Sequence, residues 1–186
     1  LPGLDYPDGF PIIKGGDIGS GRIFTGPLQR TDPAIDAVYA RSRVIGGDLV
    51  IAIRGSVGEL AMVPRSLNGA NLTQDSARIA PIEGVAPRWL LAALRTPTVQ
   101  SRVQRFVTGA TVKGINIFDL RRIPVPTPPL REQNRLATEV AELEFDTEQA
   151  ISAIDRSEAI LLERKQALIT AAVTGQFDVT TARAVA

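Results

Sequence analysis

The segment "TPPLREQNRLATEVAEL" at residues 127–143 marks the boundary between two kinds of sequence in this chain. Its adjacent prolines end the preceding structure, and proline is favoured in the first turn of a helix. A charged pattern with regularly spaced leucines then continues almost to Gly175, and glycine is favoured just after a helix C-cap. The sequence therefore predicts one helix from about Leu130 to Thr174, ~66 Å long at ~1.5 Å per residue.

The predicted helix carries apolar residues at heptad spacing, with interruptions at Thr147, Ser157 and Arg164. This is an imperfect coiled-coil pattern. An apolar stripe that contacts no other surface remains in water, so we expect the helix to pair with another helix. The predicted pairing positions are Leu136, Val140, Leu143, Ile154, Leu161 and Leu168.

The residues before this helix predict a mixed domain of strands and helices. The segment at 86–107 has helical spacing that Pro97 interrupts, and "IFDL" at 117–120 is expected to form a short turn. The segment "RGSVG" at 54–58 is expected to connect two strands as a hairpin. The predicted strands are "FPIIK" (10–14), "LVIAI" (49–53), "ELAMV" (59–63), "ARIAPI" (77–82) and "RIPVP" (122–126).

The composition argues against several kinds of site. The chain has no cysteine and no histidine, so disulfides, thiolate zinc sites and histidine-based acid–base catalysis are excluded. Residues 1–129 carry fifteen Lys and Arg against ten Asp and Glu, whereas residues 130–186 carry six against ten. The basic first part favours a polyanionic partner. An arginine-rich chain also arises from a GC-rich genome, but that origin does not explain the asymmetry between the two parts.

Two loops contain residues suited to phosphate or base contacts. In "RGSVG", Arg54 and Ser56 could contact a phosphate or a base edge, and the alternative is a plain hairpin turn. In "TGATVKGIN" at 108–116, glycines combine with Thr111, Lys113 and Asn116 as a phosphate clamp would require, and the alternative is a polar connector.

Further polar residues of the first part are candidates for base recognition. Arginine can donate two hydrogen bonds to guanine, and Asn or Gln can pair similarly with adenine. The alternative for each is a surface side chain that contacts no ligand. The candidates are Lys14, Arg22, Gln29, Arg30, Arg41, Arg43, Asn71 and Gln74.

Several of these segments together resemble the specificity subunit of type I restriction-modification enzymes. The similarity extends from about Ile45 to Val179, and it includes "GGDLVIAIRGSVG", "NLTQ" and "TGATVKGINIFDLRRIPVPTPPLREQ". Its most specific parts are "IPVPTPPLREQ" at the start of the helix and "LITAAVTGQFDV" at its end.

The resemblance implies an α/β (α+β) target-recognition domain with a curved mixed sheet at residues 1–129. It implies a spacer helix at 130–175 that forms an antiparallel coiled coil, and a tail at 176–186. A complete subunit of this family has two such domains and two such helices. The chain, which begins with Leu1, is therefore expected to be a fragment or a half-size subunit.

The resemblance also implies the partners. These are double-stranded DNA with a two-part site, the methylation (M) subunits, the restriction or motor (R) subunits, and a second specificity half or an antiparallel homodimer. S-adenosylmethionine belongs to the methylation subunit, and the chain itself is expected to hold no catalytic residue, cofactor or metal. It is expected to be cytoplasmic in a bacterium or archaeon, without a membrane partner.

Two other functions remain open at this stage. The chain could be a coiled-coil assembly module that binds protein rather than DNA, which would need no basic face. It could also be the recognition fragment of a fused restriction-methylation enzyme, which would bind the methyl donor.

Overall fold

A computed structural model describes residues 4–24 and 26–176 of the chain. These residues divide into two compact units, one that ends at Thr138 and one that begins at Glu139. The first unit contains eight short strands, the helices before residue 130 and the first turns of the long helix. The rest of the long helix forms the described part of the second unit. The functional division at 129/130 remains a prediction, and the predicted tail at 176–186 lies outside the described residues except for Gln176.

The strands and helices of the first unit are numbered in chain order. The strands are β1 (Phe10–Ile13), β2 (Ile18–Gly19), β3 (Arg22–Ile23), β4 (Arg30–Thr31), β5 (Leu49–Ala52), β6 (Leu60–Met62), β7 (Asn71–Leu72) and β8 (Ser76–Ile79). The helices are α1 (Pro33–Val38), α2 (Pro87–Arg95), α3 (Pro97–Gln104) and α4 (Ile117–Leu120). Short 3₁₀ turns occupy Gly15–Asp17, Ala40–Ser42 and Arg65–Leu67.

The described strands form three small sheets rather than one curved mixed sheet. The first has the order β4-β1-β7, in which β1 is antiparallel to β4 and parallel to β7. The second is the antiparallel pair β2-β3, and the third is the antiparallel sheet β6-β5-β8. The mixed α/β class is therefore confirmed, and only the first sheet is mixed.

Strand β5 is buried on both faces, which explains its uninterrupted apolar sequence. Alternate side chains of a strand point to opposite faces. Val50 and Ala52 belong to one apolar cluster with the first two sheets, and Leu49 and Ile51 belong to another with α2 and α3. The two clusters make β5 the centre of the first unit.

Two predicted features between residues 86 and 126 had different outcomes. Helices α2 and α3 separate at Pro97, as predicted, and the hydroxyl of Thr96 caps α3 by accepting from the Val99 N–H at 3.4 Å.

The prediction of a strand at "RIPVP" (122–126) is wrong. Proline has no N–H to donate to a sheet, and the carbonyls of Pro124 and Pro126 instead accept from side chains of Arg102 and Trp89, at 3.0 and 3.1 Å.

The long helix, α5, runs over 44 residues from Leu130 to Val173. Gly175 has a φ of 74°, in the left-handed region. The Gly175 N–H donates to the Ala172 carbonyl at 3.3 Å, and the Gln176 N–H donates to the Ala171 carbonyl at 2.8 Å. This double closure is the Schellman arrangement, so the predicted glycine stop is confirmed. Among residues 4–24 and 26–176, no helix combines the length and apolar character that crossing a membrane requires.

Candidate nucleic-acid interface

The two loops singled out in the sequence lie side by side. Arg54 and Gly114 form an antiparallel bridge, and the Gly55 N–H donates to the Lys113 carbonyl at 2.9 Å. The Ile115 N–H donates to the Ile53 carbonyl at 3.0 Å. We call residues 54–58 and 108–116 the loop pair. It places exposed Arg54, Ser56, Thr111 and Lys113 on two adjoining loops.

The second loop has a geometry that requires glycine. The N–H groups of Thr108 and Gly114 each donate to the other residue's carbonyl, at 2.9 and 2.8 Å. Between them Gly109 has a φ of 107°, and a Cβ placed there would lie 2.1 Å from the Val112 carbonyl oxygen. The Asn116 Oδ1 accepts from the Phe118 N–H at 2.8 Å and so caps α4. This bond occupies one acceptor position of Asn116, whose side chain is exposed.

A third segment, residues 73–76, joins the loop pair. The Asp75 carbonyl accepts from the N–H groups of Ile53 and Arg54, at 2.8 and 3.3 Å. Gly15 packs beside it, since a Cβ at Gly15 would lie 3.4 Å from the same carbonyl oxygen. The neighbouring residues Lys14 and exposed Gln74 are therefore brought close to the loop pair.

A cavity of about 540 Å³ lies among β1, α1, β7 and the 73–76 segment. We call it the β1–β7 cavity. Three of the predicted contact residues line it, namely Lys14, Asn71 and Gln74. Its apolar wall includes Ile53 and Ile117, which flank the loop pair in the sequence. The cavity and the loop pair therefore belong to one region of the first unit.

Asn71 and Arg43 are engaged in a buried polar cluster around Asp36. The Asn71 Nδ2 donates to Asp36 Oδ1 at 3.0 Å and to the Tyr39 carbonyl at 3.2 Å. The Asn71 Oδ1 accepts from the Leu72 N–H at 2.9 Å. Since Asn71 is only 4% exposed, we assign it to the scaffold of the interface rather than to base contacts.

The Arg43 guanidinium forms a two-pronged ion pair with Asp36, with Nε 3.0 Å from Oδ2. Hydrogen bonding from Arg43 holds the pKa of Asp36 below its usual range, although burial opposes this shift. The same guanidinium carbon lies 5.4 Å from the centre of the Phe10 ring. Arg43 therefore fixes the 3₁₀ turn at 40–42 to α1.

The remaining predicted arginines are distributed over other parts of the first unit. The Arg30 Nε donates to the Gly9 carbonyl at 2.8 Å, so this side chain supports the β1–β4 edge. Arg41 is exposed on the 3₁₀ turn next to Arg43. Arg22 lies on the β2–β3 pair, which packs against β6. The structure thus brings together only part of the predicted set. The residues that lie near one another are Lys14, Arg54, Ser56, Gln74, Thr111, Lys113 and Asn116.

The predicted pairing positions lie along α5. Leu136 and Val140 are half-buried. Four further positions are between 48% and 67% exposed, and these are Leu143, Ile154, Leu161 and Leu168. Pairing itself remains a prediction.

The comparison with curated proteins decides the family relationship. The chain is 30% identical over 143 residues to the type I restriction enzyme EcoBI specificity subunit of Escherichia coli, and this match covers 76% of the chain. The chain is homologous to type I restriction specificity subunits. No protein-family model matches it. The resemblance seen in the sequence is therefore confirmed.

Solved structures related to specificity subunits share the fold. The chain aligns with a TM-score of 0.70 and 22% identity to a chain from a study of complex assembly and conformational transition of the type I R-M system. It aligns with a TM-score of 0.65 and 21% identity to the HsdS subunit of Thermoanaerobacter tengcongensis. These alignments cover 92% and 95% of this chain but 42% and 45% of the other chains. The chain spans 30% of the EcoBI specificity subunit.

The homologous region contains one structural residue whose role the sequence did not reveal. Gln133 of the "TPPLREQ" segment is only 1% exposed. Its Oε1 accepts from the Ala86 N–H at 2.8 Å, and its Nε2 donates to the carbonyls of Gly84 and Pro128 at 3.0 and 2.7 Å. Gln133 thereby fixes the first turn of α5 to the residues before α2, within the first unit. In the sequence, an uncharged polar residue close to the double proline is the feature from which this role could have been inferred.

Proposed function

We propose that this chain is a non-catalytic DNA-recognition module that recognises one half of a two-part site for a type I restriction-modification system. The observation that carries the proposal is the loop pair, which places Arg54, Ser56, Thr111 and Lys113 on adjoining exposed loops of a specificity-subunit homologue. Cationic side chains, hydroxyls and backbone N–H groups are the usual partners of DNA phosphates. The excess of basic residues before residue 130 supports the same assignment.

The long helix is proposed to act as the spacer that pairs with a second helix. Its exposed leucines and isoleucines supply the apolar surface that such pairing buries. The second helix belongs to another specificity half or to a second, antiparallel copy of this chain. Two identical antiparallel helices are related by a two-fold axis, which suits an inverted repeat in DNA.

The proposed assembly places the chemistry on other subunits. Methylation subunits dock on the helix and hold S-adenosylmethionine, while a restriction or motor subunit cleaves the DNA. This chain then contributes the choice of sequence and the distance between half-sites.

The decisive test begins with selection of bound duplexes from a random DNA pool in the presence of the methylation subunit. Affinity for the selected duplex is then measured over a range of salt concentrations for the wild type, Arg54→Gln and Lys113→Gln. Each variant should bind more weakly and should reduce the slope of log affinity against log salt by about 1, because one phosphate contact is lost.

Arg88→Gln provides the matched control, because Arg88 is exposed on α2. It should bind like the wild type. An affinity that does not change with salt, or an equal loss in all three variants, would contradict the proposed role of the loop pair.

A further inference from the structure

The outer face of α4 carries large apolar and basic side chains. Ile117 and Phe118 are 46% and 65% exposed, and Arg121 and Arg122, one turn later, are exposed as well. The Arg121 N–H donates to the Ile117 carbonyl at 3.0 Å, and Arg121 has helical backbone angles, so the turn continues to this residue. Side chains three or four positions apart share a helix face. These four residues therefore form one surface, which we call the α4 ridge.

The inner face of the same turn fixes α4 to the first unit. Leu120 and Ile123 belong to the apolar cluster that β5 shares with α2 and α3, and Ile123 is buried. Because they are three positions apart, they also share a face, which is directed away from the ridge. The packing of α4 therefore depends on these two side chains. Two neighbouring large apolar side chains that stay exposed beside charged ones are typical of an interaction surface.

The α4 ridge continues the surface of the loop pair. Helix α4 begins directly after Asn116, the last residue of the loop pair, whose Oδ1 accepts from the Phe118 N–H at 2.8 Å. Ile117 lines the β1–β7 cavity together with Lys14 and Gln74, which lie close to the loop pair. A duplex that contacts the loop pair would therefore lie beside the α4 ridge.

The charge of this region indicates the kind of partner. Residues 105–122 hold four basic side chains and one acidic one. The guanidinium carbon of Arg122 lies 5.3 Å from the centre of the Phe118 ring, and this cation–π contact orients the arginine without neutralising it. Among residues 4–24 and 26–176, neither Arg121 nor Arg122 forms an ion pair with a carboxylate. Two uncompensated positive charges beside an apolar ring suit DNA, because arginine binds phosphates and apolar side chains contact bases.

We infer that the α4 ridge is a second DNA contact that extends the loop pair. Arg121 and Arg122 bind phosphates, and Phe118 makes apolar contact with the bases or sugars between them. The inference rests on the proposed function, and it assigns DNA contact to three residues that the sequence did not single out.

The test uses the selected duplex and measures affinity over a range of salt concentrations. Arg121→Gln and Arg122→Gln should each reduce the slope of log affinity against log salt by about 1, because each removes one phosphate contact. Phe118→Ser should weaken binding by about tenfold at every salt concentration and leave the slope unchanged, because it removes an apolar contact but no charge.

Three controls accompany these variants. Arg122→Lys keeps the positive charge and should keep the slope of the wild type. Phe24→Ser should bind like the wild type, because Phe24 is 66% exposed, like Phe118, but follows β3. Arg88→Gln is the matched control for the loss of an exposed arginine. Urea unfolding midpoints of all variants should match that of the wild type, since the inner face of α4 is unchanged.

The outcomes separate this inference from the proposed function. If Phe118→Ser binds as tightly as the wild type, or if Arg121→Gln and Arg122→Gln both keep the full slope, the inference is overturned. In that case, weaker binding by Arg54→Gln and Lys113→Gln would show that the proposed function survives. If none of the four charge-removing variants changes the slope, both are contradicted.

Discussion

At the scale of single residues, the first unit depends on a few polar side chains that hold distant segments together. Asp36 is fully buried and accepts hydrogen bonds from Arg43 and from Asn71, which lies 35 residues further along the chain. A buried carboxylate is tolerated only when it is paired and hydrogen-bonded. The cluster therefore ties α1 and the following turn to β7, beside the β1–β7 cavity.

The Asp36 cluster predicts a specific dependence of stability on pH. Because hydrogen bonding from Arg43 lowers the folded-state pKa of Asp36, ionised Asp36 stabilises the fold above the unfolded pKa of about 3.9. That contribution is lost as the pH falls from about 4 through the lowered folded value. Asp36→Asn should be less stable at neutral pH and should lose this part of the acid dependence.

Urea unfolding at a series of pH values, followed by the fluorescence of the single tryptophan, Trp89, checks this prediction. Asp8→Asn serves as the control, because Asp8 is an exposed carboxylate. If Asp36→Asn and the wild type lost stability in parallel below pH ~4, the role given to the ion pair would be wrong.

Gly109 gives a second prediction at the residue scale. Its positive φ and the 2.1 Å distance from a built Cβ to the Val112 carbonyl oxygen leave no room for a side chain. Gly109→Ala should distort the loop that carries Thr111 and Lys113, and should lower affinity for the selected duplex by about tenfold or more, the equivalent of ~1.4 kcal/mol.

Gly19→Ala is the matched control for Gly109→Ala, because no atom lies within 4 Å of a Cβ built at Gly19. Its duplex affinity should equal that of the wild type. Unchanged affinity in Gly109→Ala, with a normal melting temperature, would remove the second loop from the proposed interface.

At the scale of elements, the sequence predicted what local patterns determine. The apolar run of β5 and the heptad spacing of α5 are strong local signals, and both elements were found within a residue or two of their predicted ends. Strands β2, β3, β4 and β7 have two residues each, and they were missed because their pairing partners, rather than their own sequence, define them. "RIPVP" has strand-like alternation, but its prolines cannot donate to a sheet.

The candidate interface was predictable only in part, for the same reason. Arginine and serine identified the first loop, and glycine, threonine, lysine and asparagine identified the second. Their contact joins residues about 60 positions apart, as in the bridge between Arg54 and Gly114. Asn71 is polar in sequence like Gln74, yet it is buried and bonded while Gln74 is exposed. The cavity is formed by elements between Ile12 and Ile117, so no local pattern indicates it.

Gln133 supplies the prediction at the element scale. Gln133→Ala would leave the Ala86 N–H and the carbonyls of Gly84 and Pro128 without their side-chain partner. Each buried polar group that loses its partner costs about 1–3 kcal/mol. Because the Ala86 N–H is the fully buried group of the three, the free energy of unfolding of the first unit should fall by about 1–3 kcal/mol, as measured by urea unfolding with Trp89 fluorescence.

The control for Gln133→Ala is Gln149→Ala, an exposed glutamine on the same helix. Its midpoint in urea should differ little from that of the wild type. Equal midpoints for wild type and Gln133→Ala would show that the start of α5 is held by its apolar contacts alone.

At the scale of the whole molecule, the second unit carries more apolar surface than an isolated helix can keep in water. Leu143, Ile151, Ile154, Leu161 and Leu168 are each about half exposed or more. The helix is also uneven in charge, since residues 139–148 hold five acidic side chains and no basic one, whereas residues 156–165 hold three basic side chains and two acidic ones. An antiparallel second copy would bring the acidic segment beside these three basic side chains, whereas a parallel copy would set the acidic segments against each other.

The proposed pairing predicts the effect of a charge in the apolar stripe. Leu161→Asp would remove an apolar contact and bury a carboxylate at each of two symmetry-related sites. Since one buried leucine is worth about 1.5–3 kcal/mol, self-association should weaken by at least about 100-fold.

Light scattering over a concentration series measures this change in self-association. Gln149→Asp is the control, because it adds the same charge at a position outside the stripe. Because Leu161 lies in the second unit and Trp89 in the first, tryptophan emission should be unchanged in both variants. Two results together would contradict both proposed roles of the stripe. The first is a wild type that is monomeric at micromolar concentration without the methylation subunit. The second is equal affinity of the wild type and Leu161→Asp for that subunit.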